Sequence, residues 1–288
     1  MKSTLIALSL ILILFSSCKP KRDLPFKIEE VSPWCIIGFD TEERTPSQRI
    51  AMVKELGFTK YGFNKGKGDL TTMKEEFKLA MQNGIDIPSV FLWLNAKRDS
   101  IGKLSPANQE LLANLAEVDY KPAIWVSFSD NYFEDIEQDQ SIQLSVDMIK
   151  YVKSITDNLN CKLAIYNHHG WFGNPFNQVE ILKALNEKSV SMVYNFHHAQ
   201  EYVDEFPEIA KMIVPYLSYV NLNGVKKEGP QIITLGEGDH EVEMIQGLMN
   251  NGFTGPWGIL GHIKTEDVKK VLEKNIAGMH LLNSKLNY

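Results

Sequence analysis

Short apolar runs alternate with amphipathic segments along most of this chain. The runs are CIIGFD (35–40), TKYGFN (59–64), IDIPSVFLWLN (85–95), PAIWVSFS (122–129), KLAIYNHH (162–169), VSMVYNFHHA (190–199), LSYVNLNG (217–224) and GPWGILGH (255–262). They are short and rich in β-branched and aromatic residues, which predicts strands. Helices are predicted over 46–56, 69–83, 105–117, 139–159, 175–186, 203–216, 241–251 and 265–281, where apolar residues recur at three and four spacing, as Met148, Ile149, Val152 and Ile155 do. Thr45-Pro46, Ser105-Pro106, Asn174-Pro175 and Thr265 ahead of Glu266-Asp267 place a cap or a first-turn proline where helices should start. Eight strand–helix units predict an α/β fold of (β/α)8 TIM-barrel type in a single domain. A doubly wound open sheet is the alternative, but the first strand exit, Gly38-Phe39-Asp40-Thr41, has no G-x-G-x-x-G.

In such a barrel the chemistry gathers where the strands end. The run ends carry Asp40, Asn64, Asn95, Ser129, Asn167, His168, His169, Asn195, His197, His198, Asn221, Asn223 and His262, while the run starts are mostly apolar. A purely structural barrel has no need of amides and imidazoles on one rim, so a functional pocket is expected there. His240 and His280 fall in helical stretches or their starts and read as surface or packing residues, and Trp125 and Trp257 read as core. Glu134, Asp135, Glu137 and Asp139 lack the glycine and spacing of a calcium loop and read as a solvated helix start.

Outside the alternation, residues 1–18 have one lysine, an apolar core from Leu5 to Phe15, and small residues before Cys18. That core is short for a spanning helix, which needs about 20 apolar residues, and fits a secretory signal. The Phe15-Ser16-Ser17-Cys18 junction resembles a bacterial lipobox, with Cys18 as the lipidated residue. An ordinary signal peptide with an incidental cysteine is the other reading. Residues 19–32 then form a tether and 33–288 the barrel domain, in an extracytoplasmic protein held to a bacterial membrane. The formal net charge is −6 and no basic stripe occurs, which argues against a nucleic-acid partner. Cys35 and Cys161 start the first and fifth runs, on opposed strands of an eight-stranded barrel. A disulfide needs Cα atoms within about 7 Å, so both are expected as free, buried thiols.

Several segments together resemble the xylose isomerase-like TIM barrels, a group of sugar isomerases, sugar epimerases and a class of abasic-site endonucleases. They are the opening helix with Leu56-Gly57-Phe58, VYNFHHA in the sixth run, YVNLNG in the seventh and LGEGDHEVEMIQGLMNNGFTGPWGI before the eighth. The resemblance covers nearly all of 35–281 and implies a small-molecule carbohydrate partner. It also implies a divalent metal on Glu, Asp, His and Glu. The matching positions here are Tyr166, Asn195, Asn221 and Leu260, a set that does not suit a hard divalent ion. The family's substrate-binding histidine is matched by His198, and Glu237 lies in a matching loop near the mouth.

Two readings follow. In the first, the site is rebuilt one layer higher. Strand side chains alternate with period two, so if Tyr166, Asn195 and Leu260 face inward, His168, His197 and His262 do too. These three can bind Zn²⁺ or another transition metal with Glu237 or water completing the shell, or act as general acid and base. The chain is then a sugar isomerase, epimerase or lyase that moves protons next to a carbonyl, with His168, His197, His262 and Glu237 as catalytic candidates. In the second reading the barrel binds sugar without turnover. The candidate binding residues are His198, His169, Asn167, Asn195, Asn221, Asn223, Trp93 and Trp171. An endonuclease reading is disfavoured by the missing ligands, the acidic balance and the expected export. The lipid anchor has its own test: Cys18→Ala should move the protein from the membrane to the soluble fraction of bacterial cells, and unchanged membrane retention would contradict the anchor.

Overall fold

The computed structural model of the chain describes residues 26–65 and 70–286. The leader, Cys18 and the first part of the expected tether lie outside the described residues. Among the described residues seven strands run β1 (Ser32–Trp34), β2 (Ser89–Leu94), β3 (Ala123–Phe128), β4 (Leu163–Tyr166), β5 (Val190–Asn195), β6 (Leu217–Leu222) and β7 (Trp257–Leu260). They form one curled parallel sheet in the order β1-β7-β6-β5-β4-β3-β2. The helices are α1 (Pro46–Glu55), α2 (Leu70–Gln82), α3 (Pro106–Val118), α4 (Gln138–Asn158), α5 (Gly170–Gly173), α6 (Pro175–Leu185), α7 (Phe206–Ile213), α8 (Glu241–Asn250) and α9 (Val268–Lys285). No helix among the described residues is long and apolar enough to cross a membrane.

The predicted start signals operate locally. Thr45 caps α1 in a reciprocal box with Gln48, Ser105 accepts from the Asn108 amide, and Asn174 accepts from Phe176 and Asn177. The last helix starts later than predicted, because Asp267 rather than Thr265 supplies the cap.

Three expectations are corrected. The 35–40 run is not a strand: β1 is Ser32–Trp34, and Cys35 turns the chain out of the sheet with φ 61°. Cys35 therefore sits at the C-terminal end of β1, not at its start. The 59–64 run makes single bridges instead of a regular ladder. Its Gly62 amide donates to Pro33 O at 2.8 Å, and its Tyr61 and Phe63 amides donate to Asp86 O and Ser89 O at 3.0 and 2.8 Å, so it touches both edge strands. Finally, residues 26–32 belong to the fold and not to a tether. Phe26 is buried edge-on against Trp257 at 5.4 Å, and Asn283 clamps its backbone through both amide atoms. Both cysteines are free and buried, as expected.

Alternation along the strands builds two cores. Outward residues such as Val90, Ile124, Ile165, Met192, Val220 and Ile259 pack under the helices. Inward residues Trp34, Trp125, Ala164, Tyr166, Val193, Tyr219 and Leu260 form a second cluster on the concave face. There Trp34 meets Trp125 at 4.5 Å, and Trp125 meets Tyr219 at 4.9 Å and stacks on Tyr166 at 5.9 Å. Gly62 makes room for this: a Cβ there would lie 2.2 Å from the Trp34 ring.

Between α1, α2 and the 59–64 run, Arg49 pairs with Glu76 at 2.8 Å, and Tyr61 donates to the same carboxylate at 2.7 Å. Both charged side chains are buried. Removing one partner of such a pair leaves an uncompensated charge, whereas replacing both with apolar groups is often near neutral. Glu76→Ala should thus lose about 3–5 kcal/mol in urea unfolding, and the Arg49→Met/Glu76→Met double variant should recover most of it. An unchanged midpoint in Glu76→Ala would contradict this account.

Candidate functional site

The site is built on the ends of β4 and β5. Beyond Tyr166 the chain turns sharply, with the His168 amide donating to Tyr166 O at 2.9 Å. Asn167 clamps the neighbouring strand: its Oδ1 accepts from the Asn195 amide at 2.6 Å and its Nδ2 donates to Asn195 O at 3.3 Å. Asn195 in turn starts the 3-10 turn Phe196–His198 by accepting from the His197 amide at 2.9 Å, and its Nδ2 donates to the Tyr166 hydroxyl. Helix α5 packs directly on the His168 turn, since a Cβ on Gly173 would lie 2.6 Å from His168 O. Gly170 makes the turn into α5 with φ 65°.

These turns gather five imidazoles. His168 and His169 rings lie 4.5 Å apart, His168 and His198 4.6 Å, and His169 and His198 4.3 Å. His197 extends the group, 4.3 Å from His198 and 4.9 Å from His262. His168 and His198 line both of two adjoining cavities. The inner one, of about 220 Å³, has Trp34, Cys35, Phe91, Tyr166 and Asn195 below, with His197, His262, Phe39, Asn64 and Lys65 also on its wall. The outer one, of about 510 Å³, is more open and adds His169, Gln200, Glu201, Tyr202 and Gln231. No Asp or Glu lines the inner cavity among the described residues.

Burial favours the neutral form of His168, His197, His198 and His262. It lowers His168 and His197 to about 3 and His262 to about 4, and crowding by the neighbouring histidines, with Lys264 beside His262, disfavours a charge on any one of them. His198 is driven down by the same burial, helped by His197 and His168. The Nδ1 atoms of His168, His197 and His198 are buried with no hydrogen-bond partner. Burial raises the Cys35 thiol and the Tyr166 phenol, so both stay protonated, and it lowers the Lys65 ammonium.

The sequence expectations divide accordingly. His168, His197 and His262 all reach the inner cavity, together with His198 and Asn195. The three whose ligand atoms come together, within 4.8 Å of one another, are however His168, His169 and His198. Period-two alternation does not continue past Tyr166 and Asn195, because the chain leaves the strands there for a turn and a 3-10 segment. Asn167 clamps backbone. The Asn223 Nδ2 donates to Gly224 O and Gln231 O, bracing its own loop. Trp171 turns away, donating to Gln138 and packing on Phe133 at 4.6 Å. Trp93 does approach, edge-on to His168 at 4.7 Å. Glu237 is exposed and lines neither cavity. Its motif is structural: the buried Glu241 accepts from the Gly236 and Gly238 amides at 3.1 and 2.8 Å.

Phe39, Lys65 and Cys35 were not singled out as site residues. Phe39 lies 3.7 Å from His262, and Cys35 accepts from Asn64 at 3.4 Å. Lys65 directly follows the polar end of the 59–64 run, which was its one signal in the sequence.

The positions that hold a metal in barrels of the resembled kind do not fit one here. Tyr166 is a protonated phenol bonded to Asn195, Leu260 offers no donor atom, and Asn221 is a neutral amide, buried with both polar atoms unpartnered. A hard cation would find no anionic ligand among these four.

No family model matches the chain, and no curated protein matches it. Solved structures do. A xylose isomerase domain containing protein from Salmonella typhimurium LT2 superposes with a TM-score of 0.66 at 15% identity, covering 89% of this chain and 99% of the other. The fold, a curled parallel α/β sheet, is similar to that of xylose isomerase-like TIM barrel proteins. The 3-keto-D-glucoside 4-epimerase YcjR of E. coli is similar with a TM-score of 0.65 at 15% identity, over 88% of this chain and 100% of its own. The IOLI protein, solved with a bound zinc atom, gives 0.66 at 11% identity over 89% and 99%.

Within this fold the Asn167 clamp sets the spacing of the two histidine turns. Asn167→Ala would strand the buried Asn195 amide and carbonyl, at a cost of about 1–3 kcal/mol per unsatisfied group. The expected result is a clear drop in thermal midpoint, with Asn167→Asp less affected. An Asn167→Ala protein as stable as the parent would contradict the clamp.

Proposed function

We propose that the chain is an exported lipoprotein, anchored through Cys18, whose 59–64 run completes a closed (β/α)8 barrel. In this reading it acts on a sugar or sugar derivative by proton transfer next to a carbonyl, giving isomerisation, epimerisation or elimination. The observation that carries it is the inner cavity: about 220 Å³ at the C-terminal ends of the strands, lined by His168, His197, His198 and His262 over an aromatic and amide floor. That volume is below the roughly 300–1,000 Å³ of pockets for drug-sized ligands, which suits a small polyol. The sugar epimerases among its structural neighbours support the class.

The roles follow from position. His197 and His262 meet edge to face at 4.9 Å on the cavity wall. One neutral imidazole takes the proton from the carbon beside the carbonyl, and an N–H of another donates to the carbonyl oxygen as the enediol forms. Return of a proton to the other carbon isomerises, and return to the opposite face epimerises. Asn195 and His198 hold hydroxyls, and Phe39 and Phe91 offer faces to C–H surfaces. The second reading, sugar binding without turnover, is favoured by the absence of a carboxylate from the cavity lining.

Both readings are separated by one experiment. The protein is incubated in D2O with a panel of ketohexoses and 3-keto-glucosides and followed by NMR. Solvent deuterium should enter the sugar at a carbon next to the carbonyl, with His197→Ala and His262→Ala each slowing incorporation by about 10²–10⁴-fold. Saturable binding without exchange would select the binding reading, and neither binding nor exchange would overturn both.

A further inference from the structure

We infer that His168, His169 and His198 form a transition-metal site at the boundary of the two cavities, distinct from the position used in barrels of this fold. Their ligand atoms lie within 4.8 Å of one another. In a tetrahedral zinc site, bonds of about 2.0–2.1 Å set neighbouring nitrogens roughly 3.3 Å apart, so the rings need to close by about an ångström or more. The means are present. His169 is exposed and free to turn about its side-chain bonds, and His198 is nine-tenths buried with its Nδ1 unpartnered, as is the Nδ1 of His168. Buried ring nitrogens without partners are uncommon, and a metal bond satisfies such an atom.

The donor set selects the ion. Three neutral imidazoles suit Zn²⁺, Co²⁺, Ni²⁺ or Cu²⁺, whereas Mg²⁺ and Ca²⁺ prefer oxygen. Three protein ligands leave a fourth position open, the arrangement of catalytic rather than structural zinc. That position can face either cavity, because His168 and His198 line both. With no carboxylate among the ligands the complex keeps its full positive charge, so it favours an anionic fourth ligand such as hydroxide, a carboxylate or an enediolate. Glu201 lines the outer cavity but falls outside the ligand cluster. The site stands on its own geometry and is independent of the sugar reading.

The test is metal titration of the full chain. The protein is stripped with chelator, dialysed, and titrated with ZnCl2 by calorimetry and with CoCl2 by absorption. The expected result is one equivalent of tightly bound zinc and an intense tetrahedral cobalt spectrum. His169→Ala should weaken zinc binding by a hundredfold or more. It is the decisive variant, because its side chain is exposed and the fold does not depend on it; circular dichroism checks this. His262→Ala should change zinc affinity less than tenfold. Absence of stoichiometric metal, or binding that survives His169→Ala and is lost in His262→Ala, would overturn the site. Metal binding without deuterium exchange would leave this inference standing and remove the enzymatic reading. Exchange in a protein that takes up no stoichiometric metal would do the reverse.

Discussion

The site depends on aromatic packing inside the curled sheet. Trp34, Trp125, Tyr166 and Tyr219 fill the concave face from four different strands. Such rings bring large apolar area and a preferred edge or offset geometry. They fit because glycine stands at 62 and 258, where a Cβ would meet the Trp34 ring at 2.2 Å and the Asn221 amide at 2.3 Å. This filling raises the floor of the pocket. The layer at which the resemblance would place a metal is occupied here by a phenol, two amides and a leucine, and the imidazoles lie one step nearer the mouth.

At that height the strands have ended, and the functional groups are held by turns. The Asn167–Asn195 exchange of hydrogen bonds fixes the two turns relative to each other, and α5 is pressed against the His168 carbonyl through Gly173. Adjacent histidines therefore point along different directions of a turn, and both members of each pair can reach the same space. A strand would have sent one of each pair to the other face.

This difference also sets what the sequence revealed. The alternation of apolar runs and amphipathic segments showed the parallel α/β arrangement and the polar strand ends, because burial on two faces writes a strong periodic signal. It also showed that His168, His197, His198 and His262 share a pocket. It did not show which three converge, because the period-two rule was carried past Tyr166 and Asn195 into segments where it has no meaning. The first run misled for a related reason. Ile36 and Ile37 are buried, but under the helices after the chain has left the sheet at Cys35, and hydrophobicity alone does not tell a buried strand from a buried loop. Glu237 drew attention through a motif whose conformational role belongs to Glu241 and the glycines beside it.

The electrostatics of the cluster discriminate between its possible roles. A proton placed on His168, His197, His198 or His262 would be a localised charge at the inner cavity, whose lining carries no carboxylate, and burial opposes it at all four. A general base must be unprotonated before it acts, and burial holds these four rings in that form, as weak bases. A metal ion asks something different of the same rings. It takes neutral lone pairs and spreads its charge over several nitrogens at once. It also needs no counter-charge for ligation, provided an anion completes the shell. The arrangement at His168, His169 and His198 is good for sharing a cation. This leaves the His197–His262 pair, farther along the wall, as the groups free to touch a substrate.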